Sequence, residues 1–244
     1  MALRTAEVPA FSAVPSLVHG FEQRPPGSGA ESHDEACARV ARALEGAGRL
    51  LLLRQVHGTT VVEAPWEGTP EADASVAAAP GLLLGIKTAD CLPVLLVDPK
   101  RRLVAAAHAG WRGTAKGVAR RTVEALAARG SRPEDLVAAL GPGIGSCCYE
   151  VGEEVRAAFG PDGSAFFRPG PNGRPHLDVR AANVRQLVEA GLRAEAIHHL
   201  AECTRCRADL YPSYRRDGKA AGRMISFIGF EAPSGAGSHG LQAR

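Results

Sequence analysis

Between residues 82 and 118 the chain alternates apolar runs with two polar corners: LLLGIKTADCLPVLLVDPKRRLVAAAHAGWRGTAKGV. The runs at 82–87, 93–98 and 103–108 are short, aliphatic and bounded by turn residues, which predicts three consecutive strands. Further strand patterns lie at 16–21, 50–56, 59–64, 136–140, 196–200 and 224–228. Helical spacing occurs at 34–44, where His33-Asp34 opens a segment carrying Ala36, Val40, Ala41 and Leu44. It occurs again at 113–129, with Val118, Thr122, Ala125 and Leu126 on one face and Arg120, Arg121 and Arg129 opposite. A third stretch covers 152–159, and a fourth covers 179–190 with Ala182, Leu187 and Val188 turned inward. Pro- and Gly-broken stretches at 24–29, 65–73 and 172–175 read as loops or turns. With no internal repeat or interdomain linker, a single compact α/β domain is expected over 1–233, followed by a flexible tail at 234–244.

Composition narrows the classes. An apolar fraction of 45% with 23% charged residues is that of an ordinary globular chain. A formal charge of +3, spread rather than clustered, argues against nucleic acid or an anionic membrane as partner. The 25 Arg against 4 Lys is a compositional bias rather than a binding surface. No run reaches the ~20 apolar residues that span a bilayer. The N-terminal stretch has Pro breaks where a signal peptide needs continuous apolar sequence. A cytosolic location is therefore expected, where six Cys serve as free thiols or metal ligands.

Packing accounts for the strands but not for a thiol and an imidazole at the ends of two neighbouring ones. Cys91 closes the corner Thr88-Ala89-Asp90-Cys91, and His108 opens the corner that runs on to Gly113. His57, in Arg54-Gln55-Val56-His57-Gly58, follows another apolar run. Together they form a His₂Cys set, the kind of three-ligand group that catalytic zinc uses with one position left open. The segment Trp111-Arg112-Gly113-Thr114 stands at a predicted helix start, where free N–H groups and Arg112 suit an anion. Gly141-Pro142-Gly143-Ile144-Gly145 lacks the spacing of a dinucleotide loop. Cys203-Thr204-Arg205-Cys206 is a CxxC, but a structural zinc needs a second pair, and Cys147-Cys148 is not spaced as one. It therefore reads as two ordinary thiols, with a redox dithiol as the alternative. His198-His199 in a strand point to opposite faces.

Six ordered blocks carry a resemblance: RQVHG at 54–58, ADAS at 72–75, TADCLPVLLVDP at 88–99, AAAHAGWRGTAKGV at 105–118, GPGIGSCCYEVGEEV at 141–155 and SYRRDGKAAGRM at 213–224. Spanning roughly 16–230, they resemble the laccase-domain family, also called the peptidoglycan editing factor or polyphenol oxidase family. It includes purine nucleoside phosphorylases with adenosine deaminase activity. The resemblance implies a four-layer α/β/β/α fold with mixed sheets, and His57, Cys91 and His108 as both metal ligands and catalytic centre. It further implies Zn²⁺, with Cu²⁺ as the alternative ion, and purine nucleosides and phosphate as substrates. Arg24, Gln55, Arg112 and Arg215 are the expected substrate and phosphate contacts, on a monomer or weak homo-oligomer. The segment His19-Gly20-Phe21-Glu22-Gln23-Arg24-Pro25-Pro26-Gly27 departs from the family's N-terminal loop and keeps only its Arg.

Two other enzyme readings share these residues. Cys91 as a nucleophile with His108 as base gives a hydrolase or amidase that edits peptidoglycan precursors, incompatible with a zinc-bound thiolate. A copper polyphenol oxidase needs several metal centres with many His ligands, in a chain with 8 His. A metal-stabilised interaction module is the non-enzymatic rival.

Overall fold

A computed structural model describes residues 3–24 and 32–233. The loop expected at 24–29 beyond Arg24 and the tail at 234–244 lie outside the described residues. Five strands make one mixed sheet in the order β1 (Thr5–Ala6), β2 (Leu17–Glu22), β13 (Met224–Phe230), β6 (Leu82–Thr88) and β3 (Arg49–Leu52). Six make a second, in the order β12 (Ile197–His199), β9 (Val137–Leu140), β7 (Leu92–Asp98), β8 (Leu103–Ala109), β5 (Ala74–Ala77) and β4 (Val61–Glu63). A separate hairpin pairs β10 (Phe167–Pro169) with β11 (Pro175–Leu177) around the turn expected at 172–175.

The side-chain parity of β7 and β8 explains the layering. Leu95 and Val97 of β7, with Val104 and Ala106 of β8, pack against Leu84, Ile86, Ile228 and Phe230 of the five-stranded sheet. Val94 and Leu96, with Ala105 and Ala107, turn the other way. They meet Val118, Val123 and Leu126 of α4 (Val118–Ala127) and Val179 and Leu187 of α6 (Val179–Glu189). A strand buried on both faces reads as a continuous apolar run, which is why 93–98 shows no alternation. On the outer face of the five-stranded sheet, Val40 and Leu44 of α2 (His33–Leu44) pack on Leu83, Ile225 and Phe227. The result is a single mixed α/β domain with α/β/β/α layers.

Several elements differ from expectation. The helix expected over 113–129 is two helices, α3 (Trp111–Ala115) and α4, because Gly117 adopts φ +86° between them. A left-handed residue ends one helix and redirects the chain into the next. The start of α2 is capped by Ser32, not by His33-Asp34. The Ser32 hydroxyl accepts from Glu35 N–H while the Glu35 carboxylate accepts from Ser32 N–H, a capping box contributing about 1 kcal/mol. Ala41 is exposed, and the inward positions are Ala36, Val40 and Leu44. In α6, Val188 is 43% exposed and Asn183 takes an inward position, its amide donating to the Thr114 hydroxyl at 2.9 Å. Strand β5 and the short α1 (Pro9–Ser12) had no sequence expectation. Two further helices are α5 (Glu153–Ala158) and α7 (Tyr214–Asp217).

The β7–β8 hairpin turns tightly at Pro99–Arg102. There Asp98 Oδ1 accepts from the Lys100 and Arg101 N–H groups, both at 3.0 Å, and Lys100 Nζ reaches Asp135 at 2.6 Å. Among the described residues no helix is long and apolar enough to cross a membrane.

Candidate metal centre

The antiparallel register of β7 and β8 pairs Pro93 with His108 and Leu92 with Ala109, which sets Cys91 beside Gly110. His57 arrives from the irregular loop after β3, in a left-handed conformation with φ +61°. One ligand atom each from His57, Cys91 and His108 lie within 4.8 Å of one another. The two imidazoles meet edge to face with centroids 4.8 Å apart. A Cβ on Gly110 would stand 3.0 Å from both Cys91 Sγ and His57 Cδ2, so the cluster needs a glycine at that point.

Asp73, which the sequence reading left without a role, holds two of the three in place. Its buried carboxylate accepts from the N–H groups of Val56, His57 and Gly58 at 3.2, 2.9 and 2.6 Å, fixing the His57 loop. Its Oδ1 also lies 2.8 Å from His108 Nδ1. A carboxylate only accepts, so Nδ1 carries a proton, and Nε2 is the nitrogen that faces the cluster and would offer its lone pair to an ion once its own proton is given up. Burial alone would raise the Asp73 pKa. The His108 hydrogen bond and the Gly58 and Val56 N–H groups outweigh it and hold the carboxyl below its ordinary value. Burial likewise opposes the Cys91 thiolate, but the charge of His108 and hydrogen bonds from both imidazoles bring the thiol down to about 6. For His108 the burial penalty is outweighed by the Cys91 thiolate and Asp73, and its pKa rises. A thiolate and two imidazoles anchored by a carboxylate form a donor set suited to a divalent transition metal.

The cluster lines a cavity of ≈ 530 Å³ together with Thr88, Tyr149, Arg215, Lys87 and Arg223. The Thr88 hydroxyl is buried and has no hydrogen-bond partner among the described residues. Burial, reinforced by the charge on Cys91, raises the Tyr149 pKa and keeps its phenol protonated. Asp90, the second residue without an expected role, is a hub with φ +86°. Its Oδ1 accepts from the Thr204 hydroxyl and its Oδ2 from the Arg215 N–H, both at 2.6 Å.

The other expected contacts scatter. Arg215 lines the cavity, its guanidinium donating to Glu150 C=O at 2.7 Å and lying 5.3 Å from the Tyr149 ring centroid. Gln55 also lines it, but its amide is committed to both backbone groups of Lys87, at 2.8 and 2.9 Å. Arg112 stacks on Trp111 and faces an adjacent groove that shares Tyr149 and Arg215. The five-residue α3 is too short to offer the helix-start dipole expected there. Arg24 lies beside the 210–217 segment, its N–H bonded to Leu210 C=O at 2.7 Å. The signals for Asp73 and Asp90 were the ADAS and TADC blocks themselves, each an acid in an otherwise small or apolar setting.

Mixed sheets between helical layers, with soft donors gathered at a cavity, describe an α/β protein with a candidate metal centre. Residues 27–231 match the family model described as multi-copper polyphenol oxidoreductase laccase, and the chain belongs to that family. The purine nucleoside phosphorylase of Deinococcus radiodurans is 46% identical over 201 residues, covering 81% of this chain and 77% of that protein. Adenosine deaminase RL5, from an unknown prokaryotic organism, is 40% identical over 68% of this chain and 64% of its own length. Among solved structures, YlmD from Geobacillus stearothermophilus superposes with a TM-score of 0.84 at 29% identity, covering 95% of this chain and 97% of that one.

Proposed function

We propose that this chain is a zinc-dependent purine nucleoside phosphorylase, acting on adenosine, inosine and methylthioadenosine, that also deaminates adenosine. The observation that carries this reading is the convergence of His57, Cys91 and His108 donors at a nucleoside-sized cavity. The names of the relatives point the same way. A divalent ion held by these three residues supplies Lewis acidity and lowers the pKa of water at the site.

The remaining roles belong to the chain. Asp73 holds the Nδ1 proton of His108 and so keeps Nε2 directed at the centre. Arg215, Lys87 and Arg223 bring positive charge to the cavity, where it offsets that of phosphate during attack at C1′ of the ribose. The protonated Tyr149 phenol offers a donor toward a leaving purine or amine. Arg112 serves phosphate from the adjoining groove, while Gln55 and Arg24 act as supports.

The test is product analysis. Zinc-loaded protein incubated with each nucleoside should release free base only when phosphate is present, and should convert adenosine to inosine without it. Release of neither product would sink the reading. Elemental analysis of the purified protein decides between zinc and copper. The adjacency of the Cys91 thiol to the His108 imidazole also fits one rival, a Cys91 nucleophile with His108 as base. Alkylation that abolishes turnover of metal-free enzyme, with a chelator harmless, would establish that rival.

A further inference from the structure

A second donor cluster lies outside the His57 centre, and local spacing concealed it. β9 and β12 run parallel, with Ala138 opposite Ile197 and Leu140 opposite His199. Their pairing continues beyond the strands: Leu200 N–H donates to Leu140 C=O, Thr204 N–H to Gly143 C=O, and Gly143 bridges Cys203. Residues some sixty positions apart thus travel side by side. The pair expected to be wrongly spaced for a metal is brought to the CxxC by topology.

The four sulfurs of Cys147, Cys148, Cys203 and Cys206 lie within 4.8 Å of one another. Cys206 Sγ is 3.8 Å from Cys147 Sγ and 3.4 Å from Cys148 Sγ. Four thiolates around one zinc at about 2.3 Å have neighbouring sulfurs roughly 3.8 Å apart. A disulfide needs about 2.05 Å. The observed separations suit a shared ion rather than a bond. Adjacent cysteines in a strand would point apart, but 146–148 form a turn in which Cys148 and Tyr149 N–H both donate to Gly145 C=O. Both thiols therefore reach the same centre. N–H donors face the sulfurs: the Gly145 backbone N–H lies 3.2 Å from Cys203 Sγ, and the Arg205 guanidinium donates to Cys148 Sγ at 3.5 Å. A Cβ at Gly145 would sit 3.2 Å from Cys147 Sγ, so the backbone here approaches the sulfurs closely.

We propose that Cys147, Cys148, Cys203 and Cys206 bind a structural zinc ion, distinct from the His57–Cys91–His108 centre. The ion fastens the 141–149 loop to the 200–216 segment. Four soft thiolates in tetrahedral array select zinc over the harder divalent ions. Binding is not redox: thiols give up protons as the metal enters. The fastening matters because Tyr149 follows Cys148 directly, and Thr204, inside the CxxC, donates to Asp90 beside Cys91. The cavity wall is thereby tied to the knuckle.

The experiment is metal counting on the full chain, purified with zinc and without chelator. Wild type should carry two zinc equivalents and His57→Ala one. Cys203→Ser/Cys206→Ser should lose one equivalent and melt at lower temperature. Should that double variant fail to fold, cobalt titration of His57→Ala decides instead. It should give intense sulfur-to-cobalt charge transfer with tetrahedral visible bands, and Cys147→Ser on that background should weaken both. A featureless cobalt spectrum overturns the proposal. So does unchanged zinc in the double variant, or an intact mass showing a disulfide among the four in freshly purified protein. Because His57→Ala lacks the first centre, these outcomes stand apart from whether nucleosides are the substrate.

Discussion

Asp73 Oδ1 lies 2.8 Å from His108 Nδ1, and the same carboxylate gathers three N–H groups of the His57 loop. One acid therefore sets the direction of one imidazole and the position of another, although it is fully buried and does not line the cavity.

Asp73→Asn should lower zinc affinity at the His57 centre by roughly 10–100-fold, the usual cost of losing such a partner. Competition with a chromophoric chelator measures it, with circular dichroism checking the fold. Unaltered affinity would mean that the loop and imidazole hold their places without the carboxylate.

Gly110→Ala places a methyl 3.0 Å from Cys91 Sγ and His57 Cδ2, and the donors must yield by a few tenths of an ångström. Overpacking of this kind costs about 1–3 kcal/mol. At the centre that is roughly 5- to 150-fold in zinc affinity. Gly110 has φ −71°, so the backbone accepts alanine and the effect isolates the contact. An alanine variant that binds zinc like wild type refutes the close packing.

Asp90→Ala removes the acceptor of two short hydrogen bonds, from the Thr204 hydroxyl and Arg215 N–H. Bonds to a charged acceptor contribute about 1.5–3 kcal/mol each. A loss of about 3 kcal/mol in urea unfolding is expected, together with a higher KM as Arg215 is released. A change within error of zero in both would remove Asp90 as a hub.

His19 supplies a pH dependence away from the His57–Cys91–His108 cluster. Its Nε2 accepts from Val8 N–H at 3.2 Å, which requires a neutral ring, and burial depresses its pKa below 6.5 despite the charge of Glu7. Above pH 6.5 the contribution is complete. As pH falls below 6.5 the unfolded chain takes up the proton first, so stability declines until the native imidazole also protonates. The drop in unfolding free energy between pH 7.5 and 5.5 should therefore be smaller in His19→Gln. Equal slopes in the two proteins would show that this ring does not govern the dependence.

The sequence disclosed what depends on runs of like residues. β7 and β8 show as aliphatic stretches because each is buried on both faces, and Cys91 and His108 stand out because they interrupt such stretches. β5 escaped notice because Ala74–Ala77 is four small residues whose burial comes from its neighbours. The break at Gly117 was hidden inside good helical spacing. Asp73 and Asp90 act by accepting backbone and hydroxyl hydrogens from loops distant in the chain, and the meeting of Cys147 with Cys203 follows from β9 and β12 being parallel neighbours. Pattern along the chain cannot express such relations.

The turn in which Asp98 collects two N–H groups lies at the other end of the hairpin from Cys91. Seven residues of extended chain intervene, roughly 24 Å. That tip is therefore a natural tether point. A fluorophore, affinity handle or fused domain introduced between Pro99 and Arg102 would ride on a rigid double strand, well clear of the His57–Cys91–His108 cluster.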